Sequence, residues 1–136
     1  VAVLALTEDN EVILAKQYRP GPQKILYELP GGYLDEGEKP EVSASRELLE
    51  ETGYAGEIEF VGTSFDDAYS TMQRYCFVAL NCKKIADQQL DDGEHVEIAY
   101  KSLEDFRSLL RSGEMTDVEV GYLGLDHLGL LCQGRC

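Results

Sequence analysis

Apolar positions recur along this chain with two periods. An apolar run at residues 1–6, turn residues Thr7-Glu8-Asp9-Asn10 and a second run at 12–18 predict a β-hairpin. Arg19-Pro20-Gly21-Pro22 breaks the pattern into a loop, and residues 25–29 resume it as a short strand. Pro40 suits the first turn of a helix, where its missing N–H costs nothing, and Gly53 suits the left-handed position past the end. The spacing therefore predicts a helix over 40–52. At roughly 100° per residue, Val42, Ser45, Leu48, Leu49 and Thr52 share one arc, with Glu47, Glu50 and Glu51 opposite. Residues 57–63, 72–80 and 96–100 read as strands, separated by exposed loops at 64–71 and 90–95. Ser102 with Asp105 has the form of a helix cap, and Leu103, Phe106, Leu109 and Leu110 keep helical spacing until Gly113. A second cap, Thr116 with Glu119, opens a final helical stretch through Val118, Tyr122 and Leu125, which Gly121, Gly124 and Gly129 weaken.

Strands, one acidic helix, more strands and C-terminal helices predict an α/β fold, a mixed sheet covered by helices on both faces. A chain of 136 residues suits one domain over 1–136. It opens without Met inside a strand-like run, so we expect a segment upstream of Val1.

Charge narrows the choice of partners. Twelve Lys and Arg against 26 Asp and Glu give −14, which repels nucleic acid and anionic membrane. No apolar run reaches the ~18 residues of a membrane span, and no charged-then-apolar leader precedes the first strand, so the expectation is a soluble, cytoplasmic protein. The four cysteines, Cys76, Cys82, Cys132 and Cys136, are too few and too irregular for a disulfide framework and read as reduced thiols.

The acidic helix carries the candidate chemistry. Carboxylates at i, i+3 and i+4 repel one another, and Glu50 and Glu51 sit at the helix's negative end, where anions are unfavourable. Arg46 neutralises part of the set. The remainder suits a hard divalent ion with oxygen ligands, Mg²⁺ or Mn²⁺. A bare Glu-Leu-Leu-Glu-Glu is also what a solvated acidic face looks like.

The flanking residues separate those readings. Gly32, five residues, Glu38, seven residues, then Arg46-Glu47-Leu48-x-Glu50-Glu51-x-Gly53 and an apolar residue resembles the Nudix signature at every fixed position. The resemblance implies an α/β/α sandwich and metal-dependent hydrolysis of a phosphoanhydride. It implies metal ligation by Glu47, Glu50 and Glu51 and by the carbonyl of Gly31, with Arg46 and Glu38 as a supporting ion pair. Gly32 and Gly53 are structural positions. A further acid from a downstream loop is expected, with Glu94 as ligand and Asp92 as a base, although a solvated acidic loop has the same composition. His95, next to that loop, reads as an incidental surface residue.

Gln17-Tyr18-Arg19, Glu28-Leu29-Pro30-Gly31-Gly32 and Leu90-Asp91-Asp92-Gly93-Glu94 resemble the ADP-ribose pyrophosphatase branch. Carried over, Arg19 contacts substrate phosphate or ribose, Glu28 binds the adenine side, and the chain forms a homodimer. One departure is that the branch's marker proline after the signature is missing, since no proline follows Pro40. Other sugar nucleotides, dinucleoside polyphosphates, damaged nucleoside triphosphates, a non-catalytic nucleotide sensor and an acidic interaction module are the alternatives.

Overall fold

A computed structural model of the chain describes residues 1–132. The strands are β1 (Ala2–Thr7), β2 (Val12–Arg19), β3 (Lys24–Glu28), β4 (Tyr54–Phe65), β5 (Gln73–Lys84) and β6 (Glu97–Lys101). The helices are α1 (Pro40–Thr52), α2 (Leu103–Leu109) and α3 (Val118–His127). The strands form one sheet in the order β3-β2-β1-β5-β4, with β6 pairing β2. β1 runs parallel to β5 and the other pairs are antiparallel, giving the mixed sheet expected.

Alternation along the central strands sends apolar side chains to both faces. Leu4, Leu6, Leu14 and Val78 meet Phe106, Leu109, Val120 and Leu125 of α2 and α3. Val3, Ala5, Ile13, Phe77 and Ala79 meet Ala44 and Leu48 of α1. This is an α/β/α sandwich.

The structure departs from the sequence expectations in four places. β4 begins at Tyr54 and reaches Phe65, and β5 runs on to Lys84, so both are longer than the expected 57–63 and 72–80, because strands paired over ten registers hold residues with no strong β preference. The buried face of α1 is Ser43, Ala44, Leu48 and Thr52, while Val42 is 55% exposed. Small residues let the helix lie close to the sheet, so the contact face lies nearer Glu51 than apolar size suggested. Thr116 does not cap α3: the N-cap is Asp117, whose side chain makes no capping bond. Cys76 and Cys82 are free and buried, but Cys132 is disulfide-bonded, contrary to the reduced-thiol reading. Cys136 lies outside the described residues.

Two of the three glycines that weakened the last helix, Gly121 and Gly124, are its contact surface. A Cβ on Gly124 would lie 2.6 Å from Leu4 Cδ2, and one on Gly121 would lie 2.5 Å from Leu110 Cδ2. Ser102 caps α2 as expected, accepting the Asp105 N–H at 3.1 Å. Among the described residues no helix is long and apolar enough to cross a membrane.

Candidate active site

The acidic face of α1 is organised by one cation. Arg46 Nε and Nη2 donate to the two oxygens of Glu38 at 2.8 and 2.9 Å. Its Nη1 donates to Glu47 at 3.0 Å and to Glu50 at 3.1 Å. The Arg46 hydrogen bonds hold the Glu38 carboxyl at about 2, and Glu38 in turn raises the Arg46 guanidinium further above its ordinary value. Gly32 sits under this cluster, since a Cβ there would lie 2.5 Å from Glu47 Oε1.

Glu51 has a different environment. It accepts the Gly31 N–H at 3.2 Å, and burial, reinforced by the nearby Glu47 and Glu94 charges, pushes its carboxyl up to about 8. Burial also raises Glu47, with Arg46 opposing. A carboxylate without a cation, desolvated beside others, holds its proton.

The C-terminal end of α1 is closed carbonyl by carbonyl. The N–H of Gly53, whose φ of 76° is left-handed, reaches Leu49 O, and Lys84 Nζ reaches Thr52 O at 3.2 Å. The Gln89 N–H donates to Glu50 O at 2.7 Å. The Gln88 side-chain amide donates to Glu51 O at 2.7 Å and to Val96 O at 3.0 Å, so one residue ties the helix to both ends of the acidic loop. Within that loop Glu94 turns back to accept the Asp91 N–H at 3.1 Å, and Asp92 is exposed.

Beside α1 lies a cavity of about 230 Å³. Glu51, Gly31, Gly32, Tyr33, Arg19, Glu28, Arg74 and Asp117 are among the residues that line it. Arg19 and Glu28 form a two-pronged pair at 2.7 and 2.9 Å, with Glu28 only 7% exposed. Arg74 is held by Asp66 at 2.9 Å, Asp117 at 3.3 Å and Glu119.

A helix that carries Arg46, Glu47 and Glu50 and turns Glu51 to such a cavity, on this sheet, matches what comparison with known proteins finds. The NUDIX domain family model covers residues 1–120. The chain belongs to the Nudix family. It is 35% identical over 125 residues to an ADP-ribose pyrophosphatase of Bacillus subtilis, covering 90% of this chain and 68% of the relative. A methanol dehydrogenase activator of Bacillus methanolicus is 35% identical over 134 residues, with 92% and 71% covered. The crystal structure of an ADP compounds hydrolase superposes with a TM-score of 0.78 at 19% identity, over 95% of this chain and 73% of that one, a likeness of fold.

Nudix hydrolases are divalent-metal dependent, and the donor set suits such an ion: carboxylate oxygens gathered on one helix, of which that of Glu51 is largely buried. Among the described residues, however, no three His, Cys, Asp or Glu side chains are already gathered about one metal position. Arg46 holds Glu47 and Glu50, Glu94 folds onto its own turn, and Gly31 meets Glu51 through its N–H. Glu94 and His95 line a second cavity of about 440 Å³, with Tyr18, Ile25, Leu90 and Val96. Gln17 borders both cavities.

Sequence reading missed Gln88, Thr116, Asp117 and Arg74. Arg74 alone left a signal, as a lone cation within a strand pattern.

Proposed function

We propose that this Nudix protein hydrolyses the pyrophosphate bond of ADP-ribose, with Mg²⁺ or Mn²⁺, to AMP and ribose 5-phosphate. The observation that carries this is Glu51: a largely buried carboxylate with no cation of its own, lining a cavity that Arg19 and Arg74 also line. The B. subtilis relative, named for this activity, supports the choice of substrate.

Glu47, Glu50, Glu51 and Glu94 would hold the ion, and the carbonyl of Gly31 is the remaining candidate ligand. When bound, a divalent ion neutralises phosphate charge and makes water a nucleophile near neutral pH. Arg46 with Glu38 keeps Glu47 and Glu50 on one flank of α1. Arg19, itself oriented by Glu28, offers its remaining donors to a phosphate or ribose oxygen. Water attacks one phosphorus, the bond to the bridging oxygen breaks, and a carboxylate must take the water's proton; Asp92 is the candidate.

Incubation of ADP-ribose with Mg²⁺ should give AMP and ribose 5-phosphate. Glu51→Gln should slow this by roughly a hundred- to ten-thousandfold. Cleavage of another sugar nucleotide, a dinucleoside polyphosphate or a damaged nucleoside triphosphate instead would move the specificity. Binding without cleavage would make the protein a sensor.

A cytoplasmic homodimer belongs to the same proposal. Tyr18 and Ile25, paired neighbours on β2 and β3, are 58% and 56% exposed and give a second copy apolar ground. Light scattering at the mass of one chain would remove that part.

A further inference from the structure

The proposed hydrolysis uses none of the chain's sulfur atoms, and those of the described residues divide by exposure. Cys76 and Cys82 are buried free thiols, and burial raises both, Cys82 to about 11, so neither offers a thiolate near neutral pH. Cys132 is disulfide-bonded. The chain has two methionines. Met115 lies in the core with 7% of its surface exposed, whereas Met72 is 39% exposed. Among the described residues Met72 is thus the reduced sulfur that a small polar oxidant reaches first.

The place of Met72 gives that exposure a consequence. It lines the cavity of about 230 Å³ beside α1, two residues before Arg74 and in the same lining as Glu51 and Arg19. Its backbone is held at both polar groups: the N–H donates to Ser70 Oγ at 3.0 Å, and the carbonyl accepts the Asp66 N–H at 3.0 Å, which closes the 66–72 loop. Asp66 in turn holds Arg74 at 2.9 Å. The backbone that carries the thioether is therefore fixed at the cavity wall.

A thioether and a sulfoxide differ in what they offer an anion. Met72 belongs, with Tyr33 and Leu34, to the apolar part of the lining. Oxidation adds a polar oxygen that accepts hydrogen bonds and donates none. The lining already holds three carboxylates, Glu28, Glu51 and Asp117, against the two guanidiniums of Arg19 and Arg74. A further acceptor competes for the donors that a phosphate needs, and its bulk takes up part of the space.

We propose that Met72 is a peroxide-sensitive modification site through which oxidation weakens substrate binding. The sulfur lone pair attacks one oxygen of hydrogen peroxide, the O–O bond breaks, an S–O bond forms and water leaves. The thioether loses two electrons and the peroxide gains them. A methionine sulfoxide reductase restores the thioether. The inference rests on the proposed hydrolysis for the reaction that is measured, and not for the chemistry at sulfur.

The test treats the unmodified chain with hydrogen peroxide, removes the excess with catalase, and reads peptide masses together with KM and kcat for ADP-ribose in Mg²⁺. The peptide containing Met72 should gain one oxygen before the peptide containing Met115 does. KM should rise roughly three- to tenfold, as for the loss of about one hydrogen bond, with kcat changing less. Methionine sulfoxide reductase should restore KM, and dithiothreitol alone should not. Met72→Leu keeps the apolar volume without the sulfur, so its treated and untreated samples should share one KM. Met72→Gln, a neutral polar side chain of similar length, should show the raised KM without peroxide.

Oxidation of Met115 ahead of Met72, an unchanged KM once Met72 is fully converted, an equal effect of peroxide on Met72→Leu, or recovery with dithiothreitol alone overturns the proposal. If the untreated chain acts on another of the nucleotides named above, or only binds one, the ADP-ribose reading falls. The treated-to-untreated ratio of KM or Kd for that nucleotide then decides the oxidation proposal by itself.

Discussion

Arg46 meets three glutamates with one guanidinium, and its bond to Glu38 has a defined pH signature. Arg46 holds the Glu38 carboxyl at about 2, below its ordinary 4.5. A depressed folded-state value means the contribution to stability is complete above the unfolded value and is lost as pH falls from 4.5 toward 2. The melting temperature of the unmodified chain should therefore exceed that of Glu38→Gln at neutral pH, with the gap closing over that acid interval. A gap unchanged down to pH 2 would mean the pair is not coupled to folding. Residues such as Glu38, Arg46 and Glu51 were legible in sequence because one turn and one helix fix their spacing. Asp117, Thr116 and Arg74 were not, because only long-range pairing of β3, β5 and the α3 turn brings them together.

The bounds of α1 were readable because Pro40 and Gly53 are strong stop signals with steric causes. Its orientation was not, because Ser43 and Ala44 carry the contact and neither announces itself as core. Nor does sequence spacing reveal how the helix ends. Gln88 spans from Glu51 O to Val96 O, so its amide, together with the Gln89 N–H on Glu50 O, ties the segment that carries the Asp92–Glu94 loop to the end of α1. Gln88→Ala should raise the Mg²⁺ concentration for half-maximal activity by about tenfold, the range seen when groups supporting metal ligands are removed. Far-UV dichroism should be unchanged, since α1 keeps its Gly53 and Lys84 closures. An unaltered metal dependence would leave Gln88 as a structural residue only.

Over the whole molecule, the alternation of apolar residues was enough to predict a mixed sheet between helices, but not which strands would be neighbours. Strand order depends on a crossover with no local mark. β1 pairs in parallel with β5, residue 2 against residue 76, enclosing β2, β3, α1 and β4 between them. Both halves of the cavity depend on that pairing, since Ala2 and Arg74 line it from the two strands. Non-local parallel pairing is slow, because the chain loses loop entropy before any contact compensates. The signature helix, by contrast, contains all of its own start and stop signals and can form early. A refolding chain should therefore pass through a period in which the acidic helix exists and the chamber it serves does not. Stopped-flow dichroism should show helix returning ahead of catalysis, and coincident recovery would mean that α1 waits for the sheet.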